Sequence, residues 1–74
     1  MLKLETGQLL EFIEQVTVDD RVIAKGTRVR VGLIMTELME PKITLVVLGK
    51  DKPETLSVDR HTVTLHCRPL QQSG

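Results

Sequence analysis

The side chains with the greatest chemical potential in this sequence lie near its C-terminal end: His61, His66 and Cys67. A thiolate–imidazole pair needs both groups on one side of the backbone, but His66 and Cys67 are neighbours, and neighbours in a strand point to opposite faces. His61 and Cys67 share a face, yet six residues of strand would separate them by roughly 20 Å. We therefore expect no nucleophilic catalysis, with Cys67 acting as a small buried hydrophobe and both histidines at the surface.

The same side chains, together with Asp59, are of the types that bind metal ions. The five-residue offset between the two histidines belongs to no usual ligand pair on a strand. The alternative is a metal site shared between two protomers. We therefore expect neither a metal nor another cofactor.

Two further features have the composition of catalytic motifs but not their spacing. The pair Asp19-Asp20 is typical of a turn, because Asp tolerates the left-handed conformation and hydrogen-bonds its own backbone. Gly26-Thr27 lacks the spaced glycines and the lysine of a phosphate-binding loop. The sequence therefore predicts that the protein is not an enzyme.

A cluster of basic residues carries the strongest functional signal. Arg21, Lys25, Arg28 and Arg30 have no acid among them, although the whole chain balances 10 basic against 10 acidic side chains. Arg28 and Arg30 are expected on one face of a strand whose other face is apolar. Their planar guanidinium groups then suit phosphate oxygens or an acidic protein partner. The alternative is a solvated face that only protects the sheet against aggregation.

The elements that must position these residues are strands. Val, Ile and Thr number 9, 4 and 8 among 74 residues, and branched side chains pack well on a pleated surface. With turn residues at short intervals, this composition predicts an all-β fold, a small barrel or sandwich of about five antiparallel strands. The clearest strand covers residues 27–35, with four inward side chains: Val29, Val31, Leu33 and Met35. Residues 43–48 are apolar on both faces, which indicates a central, doubly covered strand.

In other segments the pattern of apolar residues fits more than one secondary structure or changes along the segment. Residues 8–18 fit a strand or a helix capped by Thr6, and strand is favoured because residues 17–23 have a hairpin pattern. Residues 55–68 change parity, so we expect a break or bulge over residues 59–62 and a further strand over residues 63–67. Residues 35–39 can form a helical turn. Residues 1–70 are expected to form one domain, and residues 71–74 a frayed tail.

The size of the chain predicts self-association. A domain this small buries only ~60% of its unfolded surface, and Phe12 is its one aromatic residue. Cys67 has no partner for a disulfide within the chain, so a homodimer is the expected route to stability. A single thiol fits the reducing cytoplasm. The longest apolar run, four residues over 45–48, is too short to cross a membrane.

Several motifs together resemble a known family. They are Met1-Leu2-Lys3-Leu4 with Gly7, residues 22–31, residues 43–47, Pro53, and Leu56-Ser57-Val58-Asp59-Arg60. In this order they are similar to the carbon storage regulator family, small bacterial RNA-binding regulators of translation. The resemblance implies an intertwined β-strand homodimer that binds single-stranded GGA loops and blocks translation initiation. It implies that Arg60 contacts phosphate or a base edge, while Leu4 and Val58 pack against bases.

The chain also departs from that family. Glu5-Thr6 stands where the family has Thr-Arg-Arg, residues 8–21 have no counterpart, and Asp59 replaces a histidine. We therefore expect a non-enzymatic RNA-binding translational regulator that acts through Arg28, Arg30 and Arg60. The alternative is an SH3-like β-barrel module that binds a protein partner through an edge strand or an apolar face.

Overall fold

The computed structural model describes residues 4–35 and 42–70. In these ranges the elements run β1 (Leu9–Phe12), β2 (Val16–Val18), β3 (Arg21–Ile23), β4 (Arg28–Met35), β5 (Lys42–Val47), β6 (Glu54–Asp59), α1 (Arg60–His66) and β7 (Cys67–Pro69). Five strands form one antiparallel sheet in the order β6-β5-β4-β1-β7, and β2 pairs with β3 in a separate hairpin. The all-β prediction is confirmed, although the described sheet is open at β6 and β7 and does not close into a barrel.

The core covers one face of the five-stranded sheet. Alternate residues of each strand point into it, as the two-residue period of a strand requires, and Val63 of α1 and Ile23 of β3 cover it. The buried apolar residues are Leu10, Phe12, Ile23, Val29, Val31, Ile43, Leu45, Val47, Leu56, Val58, Val63 and Cys67. Because this face takes most of the apolar side chains, the opposite face of the sheet is left for polar and charged ones.

The N-terminal third is extended, as the favoured alternative predicted. β2 and β3 pair in register Val16↔Ile23 to Val18↔Arg21. Between them Asp19 and Asp20 adopt φ values of 48° and 66°. A two-residue hairpin turn with positive φ at both positions favours Asn, Asp and Gly, which explains the aspartate pair.

The predicted inward face of β4 is wrong in its second half. The register with β5 shifts between Val31 and Leu33, so Gly32 is the extra residue of a bulge. One extra residue exchanges the two faces of a strand. Leu33 and Met35 are consequently exposed by 54% and 43%, and Ile34 packs against the core instead.

β5 is central in the sheet, as predicted, but its two faces are not equally covered. Ile43, Leu45 and Val47 are buried, whereas Thr44 and Val46 are half-buried. Within residues 4–35 and 42–70, the second face of β5 is therefore only partly covered.

The strand predicted over residues 63–67 is also wrong, because α1 occupies most of that segment. Asp59 accepts a hydrogen bond from the backbone N–H of Thr62 at 2.7 Å, which is an N-cap contact. The cap and the burial of Val63 outweigh the strand preference of the branched residues. The break over residues 59–62 is correctly placed. The predicted helical turn over residues 35–39, beyond Met35 itself, and the predicted tail over residues 71–74 lie outside the described residues.

Candidate functional site: an arginine-rich face of the sheet

Strand register brings three arginines together on the outer face of the sheet. Glu11 of β1 lies opposite Arg28 of β4 on one side and Arg68 of β7 on the other. Arg30 lies two residues beyond Arg28, opposite Leu9. We call Glu11, Arg28, Arg30 and Arg68 the arginine face. With three positive charges and one negative charge, its formal net charge is +2.

Glu11 is the centre of this face. Its Oε1 accepts hydrogen bonds from Nε and Nη2 of Arg68, at 3.0 and 2.7 Å, and its Oε2 lies 3.7 Å from Nε of Arg28. The Arg68 hydrogen bond, followed by the charges of Arg68 and Arg28, holds the pKa of Glu11 below its ordinary value. The Glu11 side chain is only 16% exposed, against 66% and 64% for Arg28 and Arg68. The carboxylate therefore orients two guanidinium groups whose surfaces still face solvent.

Arg30 differs from the other two arginines. It is exposed, and it forms no ion pair or side-chain hydrogen bond within residues 4–35 and 42–70. Its neighbours across the strands are the aliphatic Leu9 and Val46. These apolar side chains offer no competing acceptor, so among the described residues nothing occupies the donors of the Arg30 guanidinium, which can bind an anion.

A shallow pocket extends the arginine face past the end of β1. It has a volume of about 220 Å³ and is lined by Glu11, Phe12, Ile13, Lys25, Gly26 and Arg68. Gly26, with φ of 89°, turns the chain between β3 and β4 and donates to the carbonyl oxygen of Phe12 at 2.8 Å. Lys25, which precedes Gly26 in this turn, lines the same pocket as Arg68 and adds a fourth basic side chain.

The remaining predicted site residues lie elsewhere. Arg21 of the predicted basic cluster pairs with Glu54 at 3.0 Å, away from the arginine face. Arg60 begins α1, directly after β6, which is the edge of the sheet opposite β7. Val58 is 4% exposed and belongs to the core, so its side chain offers no surface to a base, and Leu4 is half-buried against the core. The structure therefore brings Arg28 and Arg30 together but joins neither to Leu4, Val58 or Arg60.

Sequence reasoning missed Glu11 and Arg68. Arg68 follows the buried Cys67, so strand alternation places its side chain outward. Nothing in the sequence indicates that β7 pairs with β1, because the two strands are more than fifty residues apart. The site could therefore be identified only from the pairing of β1 with β7 in the structure.

The residues first considered for catalysis lie in different surroundings. Cys67 is buried, as predicted, and burial raises the pKa of its thiol to about 12. The His66 imidazole pairs with the Glu14 carboxylate, and His61 is exposed. Within the described residues, no three His, Cys, Asp or Glu side chains are grouped so that they could hold a metal ion. No helix in the described part of the chain is both long and apolar enough to span a membrane.

We compared the chain with protein-family models, with curated proteins and with solved structures, and found no match in any of the three.

Proposed function

We propose that the protein is a non-enzymatic binding module whose arginine face binds the phosphate backbone of single-stranded RNA. The observation that carries the proposal is the array of Arg28, Arg30 and Arg68 on one exposed sheet face. Residues two apart on a strand are separated by roughly 6.6 Å, and strands two apart by roughly 9.6 Å. Three forked donors at such spacings fit a chain of phosphates better than one isolated anion.

The chemistry of the face supports a particular mode of RNA binding. Phe12, the one aromatic residue of the sequence, is 1% exposed and provides no platform for base stacking. Affinity should therefore come from phosphate contacts and depend strongly on salt. The resemblance to the carbon storage regulator family adds the proposed target, a single-stranded GGA loop, and the proposed role, regulation of translation in the cytoplasm.

The test measures affinity for a fluorescent GGA-containing RNA by anisotropy as a function of salt. Each phosphate contact to a single strand contributes about 0.7 to the slope of log affinity against log salt. The double variant Arg28→Ala/Arg30→Ala should therefore lose affinity and reduce that slope by about 1.4. The matched control is Lys50→Ala/Lys52→Ala, which removes two charges from the turn between β5 and β6. Arg60→Ala tests the family resemblance separately from the arginine face. Only the resemblance assigns Arg60 to the RNA-binding site.

A second candidate function is an SH3-like module that binds a protein partner. It is favoured by the strand order β6-β5-β4-β1-β7 with one short helix before the last strand, which is similar to the order in SH3-like small barrels. Fold likeness alone does not define a ligand. Retention of a protein partner that barely responds to salt, without RNA binding, would favour this candidate.

We also infer that the module self-associates. The described core contains a single aromatic side chain, and the other large buried groups are aliphatic. A core of this size leaves a small margin of stability, which association of two copies would increase.

A further inference from the structure

The part of the sheet surface around Arg30 is apolar. Leu9 of β1 and Val46 of β5 lie opposite Arg30 on its two neighbouring strands, and both side chains are half-buried on the outer face of the sheet. The bulge in β4 turns Leu33 to the same face, where its side chain is 54% exposed. Arg30 therefore projects from a patch of aliphatic side chains.

Gly32 leaves a gap in this patch. A Cβ added at Gly32 would lie 3.4 Å from Cγ2 of Val46 and 3.4 Å from the carbonyl oxygen of Thr44. It would point to the outer face of the sheet, because the Val46 side chain lies on that face. Among the residues of β4, none places a side chain on the outer face between Arg30 and Leu33. We call the four residues that border or form this gap the aliphatic seat: Leu9, Gly32, Leu33 and Val46.

The backbone does not explain why residue 32 is a glycine. The glycines with positive φ are Gly7, Gly26 and Gly49, and Gly32 is not one of them. An added Cβ would touch its neighbours at 3.4 Å rather than overlap them. Glycine in a strand interior is destabilising, and it can mark a place where a ligand approaches the backbone closely. Bulges are also frequent beside functional sites. The missing side chain therefore points to a ligand above Gly32.

We propose that an unpaired base of the bound strand lies over Gly32, packs against the aliphatic seat and stacks on the guanidinium plane of Arg30. Bases can be held without an aromatic side chain, because they also stack on guanidinium planes. A guanidinium donates hydrogen bonds in its own plane, so Arg30 can contact a phosphate and a base together. The inference rests on the RNA binding proposed above and names the part of the RNA that this region holds.

The combination of charge and shape favours a base over an acidic protein segment. A carboxylate would use the charges of the arginines but not the aliphatic seat beside them. A base is planar with apolar faces, and its own backbone carries phosphates. Arg28 lies two residues from Arg30 on the same face, roughly 6.6 Å away, where it can bind a neighbouring phosphate. In a duplex the faces of the bases are covered, so only a single strand can fill the seat.

Two variants test the base contact without changing the charge. Arg30→Lys keeps the positive charge but loses the plane on which a base stacks. Gly32→Ala places a methyl group in the gap, where an added Cβ is tolerated by its neighbours. The matched control is Arg28→Lys, because Arg28 lies opposite Glu11 and outside the aliphatic seat. Far-ultraviolet circular dichroism checks that each variant keeps the fold.

The measurement compares two fluorescent probes by anisotropy. One is the GGA-containing RNA, and the other is an abasic strand with the same number of phosphates. The native chain should bind the RNA about fivefold more tightly than the abasic strand, the lower end of the contribution of one stacked base. Arg30→Lys and Gly32→Ala should bring that ratio close to one, while Arg28→Lys should keep it. The salt dependence should be unchanged in all three variants, because the number of charges is unchanged.

The contrary results distinguish this inference from the proposed function. Equal affinity of the native chain for the two probes, or a preference for the RNA that survives in Arg30→Lys or Gly32→Ala, would overturn the base contact and leave phosphate binding intact. A loss in Arg30→Lys that is equal for both probes would also overturn it. If neither probe binds, RNA binding is overturned as well, and binding of polyglutamate would then favour an acidic protein partner.

Discussion

Glu11 and Arg68 lie opposite each other on β1 and β7, and the Arg68 guanidinium donates to the same carboxylate oxygen from Nε and Nη2. The same carboxylate lies 3.7 Å from Nε of Arg28 through its other oxygen. One acid therefore orients two of the three arginines proposed to bind RNA. It also places a negative charge where phosphate would bind, so Glu11 has two opposing effects on binding.

Replacing Glu11 by Gln separates these effects. The Glu11→Gln side chain keeps an oxygen that can accept from Arg68 but loses the charge that repels phosphate. We expect the affinity for RNA to rise about three- to fivefold at low salt, the effect of one unit charge several ångströms away in a water-like medium. Glu14→Gln is the matched control, because Glu14 pairs with His66 away from the arginine face. An unchanged or weaker affinity for Glu11→Gln would show that orientation of the arginines matters more than charge.

Substitution of Asp59 tests whether its side chain stabilises the N-terminus of α1. Its Oδ1 accepts from the N–H and the hydroxyl of Thr62, and these hydrogen bonds hold the pKa of Asp59 below its ordinary value of 3.8. Asp59→Ala should lower the free energy of unfolding by about 1 kcal/mol at pH 7, and Asp59→Asn by less, because Asn also caps helices. Urea unfolding measures both changes.

The pH dependence of that contribution follows from the direction of the pKa shift. A carboxyl group with a lowered pKa in the folded state stabilises the fold above its ordinary pKa, and this contribution disappears as the pH falls through the lowered value. The difference between the native chain and Asp59→Ala should therefore shrink in the acid range below pH 3.8. A difference that is constant from pH 7 to the acid range would contradict the capping interpretation.

Truncation of one buried and one exposed leucine tests which residues form the core. Leu45 of β5 is fully buried, whereas Leu65 of α1 is 51% exposed. Leu45→Ala should reduce the free energy of unfolding by about 2–5 kcal/mol, whereas Leu65→Ala should change it by less than about 0.5 kcal/mol. Denaturant midpoints give the comparison. Equal losses for the two variants would mean that the core is placed wrongly.

Cys67 reports on opening of the core. Burial raises the pKa of its thiol to about 12, so the reactive thiolate is scarce at pH 8 in the folded protein. A thiol reagent should modify the native chain slowly and the urea-unfolded chain rapidly. Fast modification without denaturant would show that β7 separates readily from the sheet.

The alternation of apolar residues, together with the turn residues, was sufficient to predict the first half of β4 and the β2–β3 hairpin. Val29 and Val31 alternate with Arg28 and Arg30, and the structure places the two valines inside and the two arginines outside. Asp19-Asp20 indicated a turn because few residues tolerate positive φ. Such features depend on the local sequence, so they can be inferred without knowledge of the tertiary structure.

The errors have specific physical causes. The bulge at Gly32 depends on how β4 meets β5, and α1 depends on the Asp59 cap together with burial of Val63 against distant strands. The contact between Glu11 and Arg68 could not be predicted from the sequence either, because it depends on the pairing of β1 with β7, the first and last strands. Local patterns determine which face a residue occupies within a strand. Only the tertiary pairing determines its neighbours.

The central claim, that the arginine face binds RNA through its phosphates, is tested most directly by the salt dependence of RNA affinity. We expect the native chain to bind with a steep negative slope, and Arg28→Ala/Arg30→Ala to bind weakly with a slope smaller by about 1.4. The Lys50→Ala/Lys52→Ala control should match the native chain. RNA affinity and slope that are unchanged in the arginine double variant would contradict the claim.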